Sequence, residues 1–189
     1  MTDKQTQDTW LSQLREPIID PDQRICDPHH HLWDHPGNPY LLPELLADIG
    51  DGHNVVSTVF MECGSMYRAE GPEASAPLGE TEFVNGIAAM SASGYYGPTR
   101  ACAGIVGFAD LTLGADAGPI LDAHQALSPR FRGIRHATGW DASAGVRNSH
   151  TNPSEHLLQD ATFRQGIAEL ETRGLSFDAW LYHPQLPEL

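Results

Sequence analysis

The chain has 189 residues, the size of one ordinary domain, and 40% of them are hydrophobic, which is enough to build a buried core. It carries 11 basic and 25 acidic residues, giving a net charge of −14. Nucleic acids and anionic membranes attract basic surfaces, so neither is an expected partner. We expect the partner to be a small-molecule substrate instead.

Two features indicate the cellular location. The first 20 residues lack the basic start and apolar core of a signal peptide, and no apolar run approaches the roughly 18 residues of a membrane span. The three cysteines are widely spaced and odd in number, which fits a reducing compartment better than a disulfide framework. The sequence therefore predicts a cytoplasmic protein.

Predicted strands and helices alternate along the chain. Short, nearly continuous apolar runs predict buried parallel strands at 24–29, 55–61, 101–109, 131–136 and 175–182. Helical patterns between them cover residues 43–50, 80–94, 118–127 and 160–174. This alternation predicts an α/β fold with a parallel sheet. We divide the chain into an N-terminal extension, residues 1–23, and an α/β unit, residues 24–189.

The long loops 63–79 and 137–154 each follow a predicted strand, at the sheet edge where α/β proteins place their ligands. The first strand-to-helix turn lacks the glycine patterns of dinucleotide and P-loop sites. The chain has room for five strands, whereas a closed eight-stranded barrel needs roughly 250 residues. A five-stranded doubly wound sheet and the first part of a barrel both fit this length.

The sequence DPHHHLWD, residues 27–34, ends the first predicted strand and contains three consecutive histidines. Side chains alternate between the faces of a strand, so His29 and His31 share one face with Asp27, and His30 points to the other. Two imidazoles at a strand end can bind one substrate or one divalent metal ion, for which Zn²⁺ is the first candidate. The alternative is a polar turn in which the histidines only form hydrogen bonds.

Five segments carry a resemblance to the amidohydrolase-related metal-dependent hydrolases. In chain order they read DPHHHLWD, VVSTVFMECG, CAGIVGFADL, FRGIRHATGWD and FDAWLYHPQLPEL. Within these hydrolases the chain is most similar to the lactonase-like branch, which includes 2-pyrone-4,6-dicarboxylate lactonase and the sugar lactonases. The similarity extends from about residue 24 to the end of the chain.

The resemblance implies a (β/α)8 TIM barrel, of which this chain holds about the first five β/α units. It implies that His29 and His31 belong to the active centre, where many members bind a divalent metal and some lactonases work without one. The family completes its site with a histidine in a D-H-x-G strand and an aspartate in an S-D-W segment. Neither motif occurs here, so we expect the chain to be truncated after its fifth strand.

Further strand-end residues are candidate members of the site. Glu62 is a candidate ligand or general base, or a carboxylate that only caps its loop. Arg135 and His136 are placed to bind a substrate carboxylate or polarise a lactone carbonyl, or to form an ion pair within the barrel wall. His183 and Trp33 are candidate lining residues of the substrate pocket, or a structural histidine and a core aromatic.

These residues support three functional hypotheses. The first is hydrolysis of a lactone or related ester bond in a small carboxylated compound, with Glu62 and Arg135 as catalytic residues beside the histidine pair. The second is decarboxylation or hydration, since the same scaffold hosts several reactions. The third is a catalytically incompetent half-barrel that needs a partner, for example in a homo-oligomer, because an open sheet leaves its edges unpaired.

Overall fold

The computed structural model describes residues 9–10, 12–14 and 16–189, so the predicted extension, residues 1–23, lies partly outside the described residues. The strands are β1 (Arg24–His30), β2 (Trp33–His35), β3 (Asn38–Tyr40), β4 (Asn54–Met61), β5 (Arg100–Gly107), β6 (Phe131–Arg135) and β7 (Ser176–Asp178). The helices are α1 (Leu42–Ile49), α2 (Leu78–Ala92), α3 (Gly118–Leu127) and α4 (Ala161–Thr172). Short 3-10 turns occupy Glu73–Ser75, Leu111–Ala117, Leu157–Gln159 and His183–Glu188.

The main sheet has the strand order β1-β4-β5-β6-β7, and every neighbouring pair is parallel. Each new strand is therefore added on the same side of the previous one. A doubly wound sheet instead reverses its direction at a switch point, so that alternative is wrong. The prediction of an α/β fold is confirmed, and the sheet is a parallel half-barrel of five strands.

Local sequence signals account for where several helices begin. Pro43 and Pro119 lie in the first turns of α1 and α3, where the missing amide proton costs no helical hydrogen bond. Asp160 caps α4 by accepting a hydrogen bond of 2.9 Å from the amide of Phe163. Within the described residues, no helix is long and apolar enough to cross a membrane.

One hydrophobic cluster joins the helices to the sheet. It includes Phe60, Val84, Ile105, Leu121, Ile134, Phe163 and Leu170. The helix α4 also lies directly against the turn that follows β5. The two backbones are so close that an added Cβ at Gly166 would stand only 2.4 Å from the carbonyl oxygen of Leu111. This approach packs the turn that follows β5 against α4.

Two elements differ from the sequence expectation. The last strand ends at Asp178 rather than at residue 182, because the ladder stops at the Arg135–Asp178 pair. The carbonyl of Trp180 then bonds to the amide of Thr138 at 2.8 Å, outside the regular pairing. A small hairpin, β2–β3, was not predicted; its turn contains Gly37 with a φ of 74°, a conformation that favours glycine.

Candidate active site

Four side chains meet at the carboxyl edge of the sheet, where parallel strands all end. His29 and His31 come from the end of β1, Glu62 follows β4, and Arg135 ends β6. We call His29, His31, Glu62 and Arg135 the edge cluster. The structure thus brings together four of the seven site residues that the sequence indicated.

The two histidines of the edge cluster face each other through the same ring atom. Their Nε2 atoms are 3.2 Å apart, and the two rings are nearly perpendicular. The Nδ1 atom of His31 lies 2.8 Å from the carbonyl oxygen of Met61, which can only accept a hydrogen bond. Therefore Nδ1 of His31 carries a proton, and in the neutral form of the ring Nε2 presents a lone pair towards His29.

The distance between the Nε2 atoms of His29 and His31 fits two ligand positions of a metal site. Two nitrogens that each lie about 2.0–2.1 Å from a tetrahedral Zn²⁺ ion are about 3.3–3.4 Å apart, close to the observed 3.2 Å. However, the described part of the chain has no group of three or more His, Cys, Asp or Glu side chains arranged to hold a metal. His29 and His31 thus fit as two ligands of such a site.

The protonation of His29 depends on its neighbours. Partial burial, with His31 and the Arg135 guanidinium nearby, lowers the pKa of His29, while Asp178 and Asp27 oppose this effect. Its imidazole is consequently neutral near pH 7, with a lone pair available for a ligand or a proton. Asp178, at the end of β7, is a charged neighbour that the sequence analysis did not select.

A buried ion pair supports the histidines. The Nε atom of Arg135 donates to Oε1 of Glu62 at 2.7 Å, and Nη2 donates to the main-chain oxygen of Glu62. The Glu62 side chain is fully buried, and that of Arg135 is 11% exposed. The third nitrogen, Nη1, lies 3.4 Å from Nε2 of His29. The Arg135–Glu62 ion pair therefore orients the guanidinium so that Nη1 lies beside the histidines.

His136 follows Arg135 in the chain but lies outside the edge cluster. Its buried ring is in contact with Phe108 and Phe163, with ring centroids 5.2 Å and 5.1 Å away. Its Nδ1 atom accepts a hydrogen bond of 3.3 Å from the amide of Leu111. Burial lowers the pKa of His136. The strand alternation turns this residue towards α4, away from Arg135.

Trp33 and His183 are also placed apart from the four clustered residues. Trp33 is half-buried, donates from its indole nitrogen to the carbonyl of Asn38 at 2.9 Å, and stacks on Tyr40 with centroids 5.1 Å apart. It thereby holds the hairpin β2–β3 together. His183 is exposed at the first residue of the last 3-10 turn, and Asp178 stands at the end of the strand instead.

Glu80, in the first turn of α2, supports the turn that follows Glu62. Its Oε1 atom accepts hydrogen bonds from the amides of Cys63 at 3.1 Å and Ser65 at 2.8 Å. The side chain is almost fully buried, and this burial raises the pKa of Glu80 to about 7. In the sequence alone, Glu80 is indistinguishable from a surface glutamate at a helix start.

The raised pKa of Glu80 makes stability depend on pH. A carboxyl group whose folded pKa exceeds its ordinary value of 4.5 stabilises the fold below that value and loses this contribution as pH rises towards 7. We compare the free energy of unfolding of Glu80→Gln with that of the wild type. We expect this difference to shift in favour of the variant by roughly 3 kcal/mol as the pH rises from 4.5 to 8. Urea unfolding at both pH values measures this, with the exposed Glu73→Gln as control; a difference that stays constant with pH would contradict it.

Comparisons with known proteins support the fold. The sequence matches no protein-family model. It is 30% identical to an uncharacterised protein, y4mH of Sinorhizobium fredii, over an alignment that takes in 88% of this chain and 57% of that protein. The structure is similar to the crystal structure of an amidohydrolase from Burkholderia multivorans with bound HEPES, with a TM-score of 0.53 and 20% identity.

The structural match covers 86% of this chain and 50% of the Burkholderia protein. The chain therefore spans about half the length of the proteins that it matches. At this identity the match establishes the fold that the two proteins share, and it supports the predicted resemblance to amidohydrolases at that level. The lactonase-like branch and the chemistry of the site belong to the proposal below.

Proposed function

We propose that this chain carries the substrate-binding part of an amidohydrolase-type active site, which hydrolyses a lactone or related ester in a small carboxylated compound. The observation that carries the proposal is the placement of Arg135 Nη1 at 3.4 Å from His29 Nε2, beside the Nε2 atom of His31. The guanidinium can donate a hydrogen bond to a carbonyl oxygen that becomes negatively charged, and the neighbouring imidazole nitrogens can accept the proton of the attacking water.

His31 and Arg135 have separate roles in the proposed hydrolysis. A water molecule attacks the carbonyl carbon and gives its proton to the free Nε2 of His31, whose opposite nitrogen already donates to Met61 O. Arg135 Nη1 donates to the oxygen that becomes negative. The tetrahedral intermediate then breaks its bond to the ring oxygen, which takes the proton from His31 as it leaves. The products are an alcohol and a carboxylic acid, which then loses its remaining proton to the solvent.

A divalent metal held by the Nε2 atoms of His29 and His31 would instead supply Lewis-acid polarisation of the carbonyl and a more acidic water, and the Nε2 atom of His31 would then not be the proton acceptor. Glu62 has a different role in this proposal. Its Oε1 atom is committed to Arg135 and the side chain is fully buried, so Glu62 positions the guanidinium rather than taking the proton of water. The guanidinium also suits the carboxylate of an anionic substrate.

The test is a screen of the chain against lactones and aromatic carboxylates. We expect ring opening without release of carbon dioxide. Arg135→Met should lower kcat/KM for carboxylated lactones about tenfold to a hundredfold, because one charge-assisted hydrogen bond to the substrate is lost. Arg132→Met, an exposed arginine in the same strand, is the matched control and should leave kcat/KM unchanged. Release of carbon dioxide from carboxylates without ring opening would favour a decarboxylase.

A further inference from the structure

We propose that His150 is a positioning residue of the edge cluster, which partners the second carboxylate oxygen of Glu62 and thereby fixes the orientation of Arg135. His150 lies in the long loop between β6 and α4, in the sequence RNSHTN. That sequence has no pattern typical of a site residue. The inference deepens the proposed function, and it rests on that function for the role of Arg135.

The first argument is an unsatisfied oxygen. Oε1 of Glu62 binds Arg135, but Oε2 is buried and has no hydrogen-bond partner among the described residues. A buried carboxylate oxygen without a partner is costly, and native proteins rarely leave one. The Nε2 atom of His150 lies 3.8 Å from this oxygen, so a shift of less than about 1 Å completes a hydrogen bond.

The second argument is how the loop holds His150. The hydroxyl of Ser149 donates to the carbonyl of Ala137 at 3.2 Å, and the hydroxyl of Thr151 donates to the same carbonyl. The amide of Ser149 also donates to the carbonyl of Gly139 at 2.9 Å. Both neighbours of His150 are therefore tied to the chain just after Arg135. These bonds direct the imidazole, which is 52% exposed, towards Glu62.

The third argument is the connection from Glu62 to the reacting groups. Arg135 is bound to the Glu62 carboxylate through Nε alone, while its Nη2 atom donates to the main-chain oxygen of Glu62, so a rotation of the carboxylate breaks the Nε bond and leaves the guanidinium able to pivot about Nη2. That pivoting would carry Nη1 away from His29. A hydrogen bond from His150 to Oε2 of Glu62 opposes the rotation. His150 therefore acts through Glu62 and Arg135 rather than on the substrate.

The first test is spectroscopic and needs no substrate. The signal of the Arg135 Nε–H group, which donates to Oε1 of Glu62, is followed in ¹⁵N-labelled protein. We expect His150→Ala to shift or broaden this signal, and His150→Gln to preserve it, because the glutamine amide can still donate to Glu62. His53→Ala, an exposed histidine just before β4 at the opposite edge of the sheet, is the matched control. A signal that changes in neither His150 variant, or equally in both, overturns the proposal.

The second test uses turnover of the lactone found in the screen. We expect His150→Ala to lower kcat/KM about tenfold and His150→Gln to stay within about twofold of the wild type, since small misplacements of a catalytic group are costly. A value for His150→Ala within about twofold of the wild type would overturn the positioning role. If the wild type opens no lactone, the proposed function fails, and the Arg135 signal alone decides the role of His150.

Discussion

Glu62→Ala is expected to lower the free energy of unfolding by about 3–5 kcal/mol. The Glu62 side chain is fully buried and that of Arg135 is 11% exposed, with 2.7 Å between the paired atoms. Removing the carboxylate leaves a cation without its partner in a site that water hardly reaches. Urea unfolding of the chain near pH 7 measures the loss.

Two further variants separate the unpaired charge from lost packing. Glu82→Ala breaks an ion pair of the same residue types, Arg68–Glu82, whose side chains are 36% and 44% exposed, and it should cost at most about 1 kcal/mol. The double variant Glu62→Ala with Arg135→Met removes both charges and should recover much of the loss. If the single and double variants are equally unstable, the unpaired charge is not the cause.

His29→Ala and His31→Ala are each expected to reduce kcat about 10²–10³-fold in the lactone assay. The reason is geometric. The two Nε2 atoms are 3.2 Å apart and point towards the same position, so we expect that neither imidazole can take over the role of the other. The circular dichroism of each variant should match that of the wild type, because both side chains lie at the sheet edge rather than in the hydrophobic cluster. Steady-state kinetics over a range of substrate concentrations separates kcat from KM.

The control for the histidine pair is His53→Ala, which should keep the wild-type kcat. If His29→Ala or His31→Ala also keeps it, the assignment of the pair to the reaction is wrong. Incubation of the wild type with a chelator then tests whether turnover depends on a metal ion. Loss of turnover that added Zn²⁺ restores would show that the pair works through an ion. Turnover that resists the chelator would show that no ion is needed, with Arg135 donating to the carbonyl oxygen and His31 moving the proton.

Much of the fold could be predicted because its signals are local. Apolar runs, first-turn prolines and the Asp160 cap each depend on neighbours within a few residues, and the observed elements follow them closely. The same holds for His29 and His31, since strand alternation alone puts them on one face. The end of β7 was missed because it depends on where β6 stops pairing, and the residues of the run itself do not set that point.

The sequence by itself determined the α/β alternation, the parallel character of the strands and the histidine pair at the end of β1. Tertiary structure alone decided which charged residues join that pair. Arg135 and His136 are adjacent in the chain, yet one faces the histidines and the other packs against Phe163. His150 reaches Glu62 from 88 positions away in the chain. Such contacts depend on strand order and loop anchoring, which arise only when distant segments pack, so no local pattern encodes them.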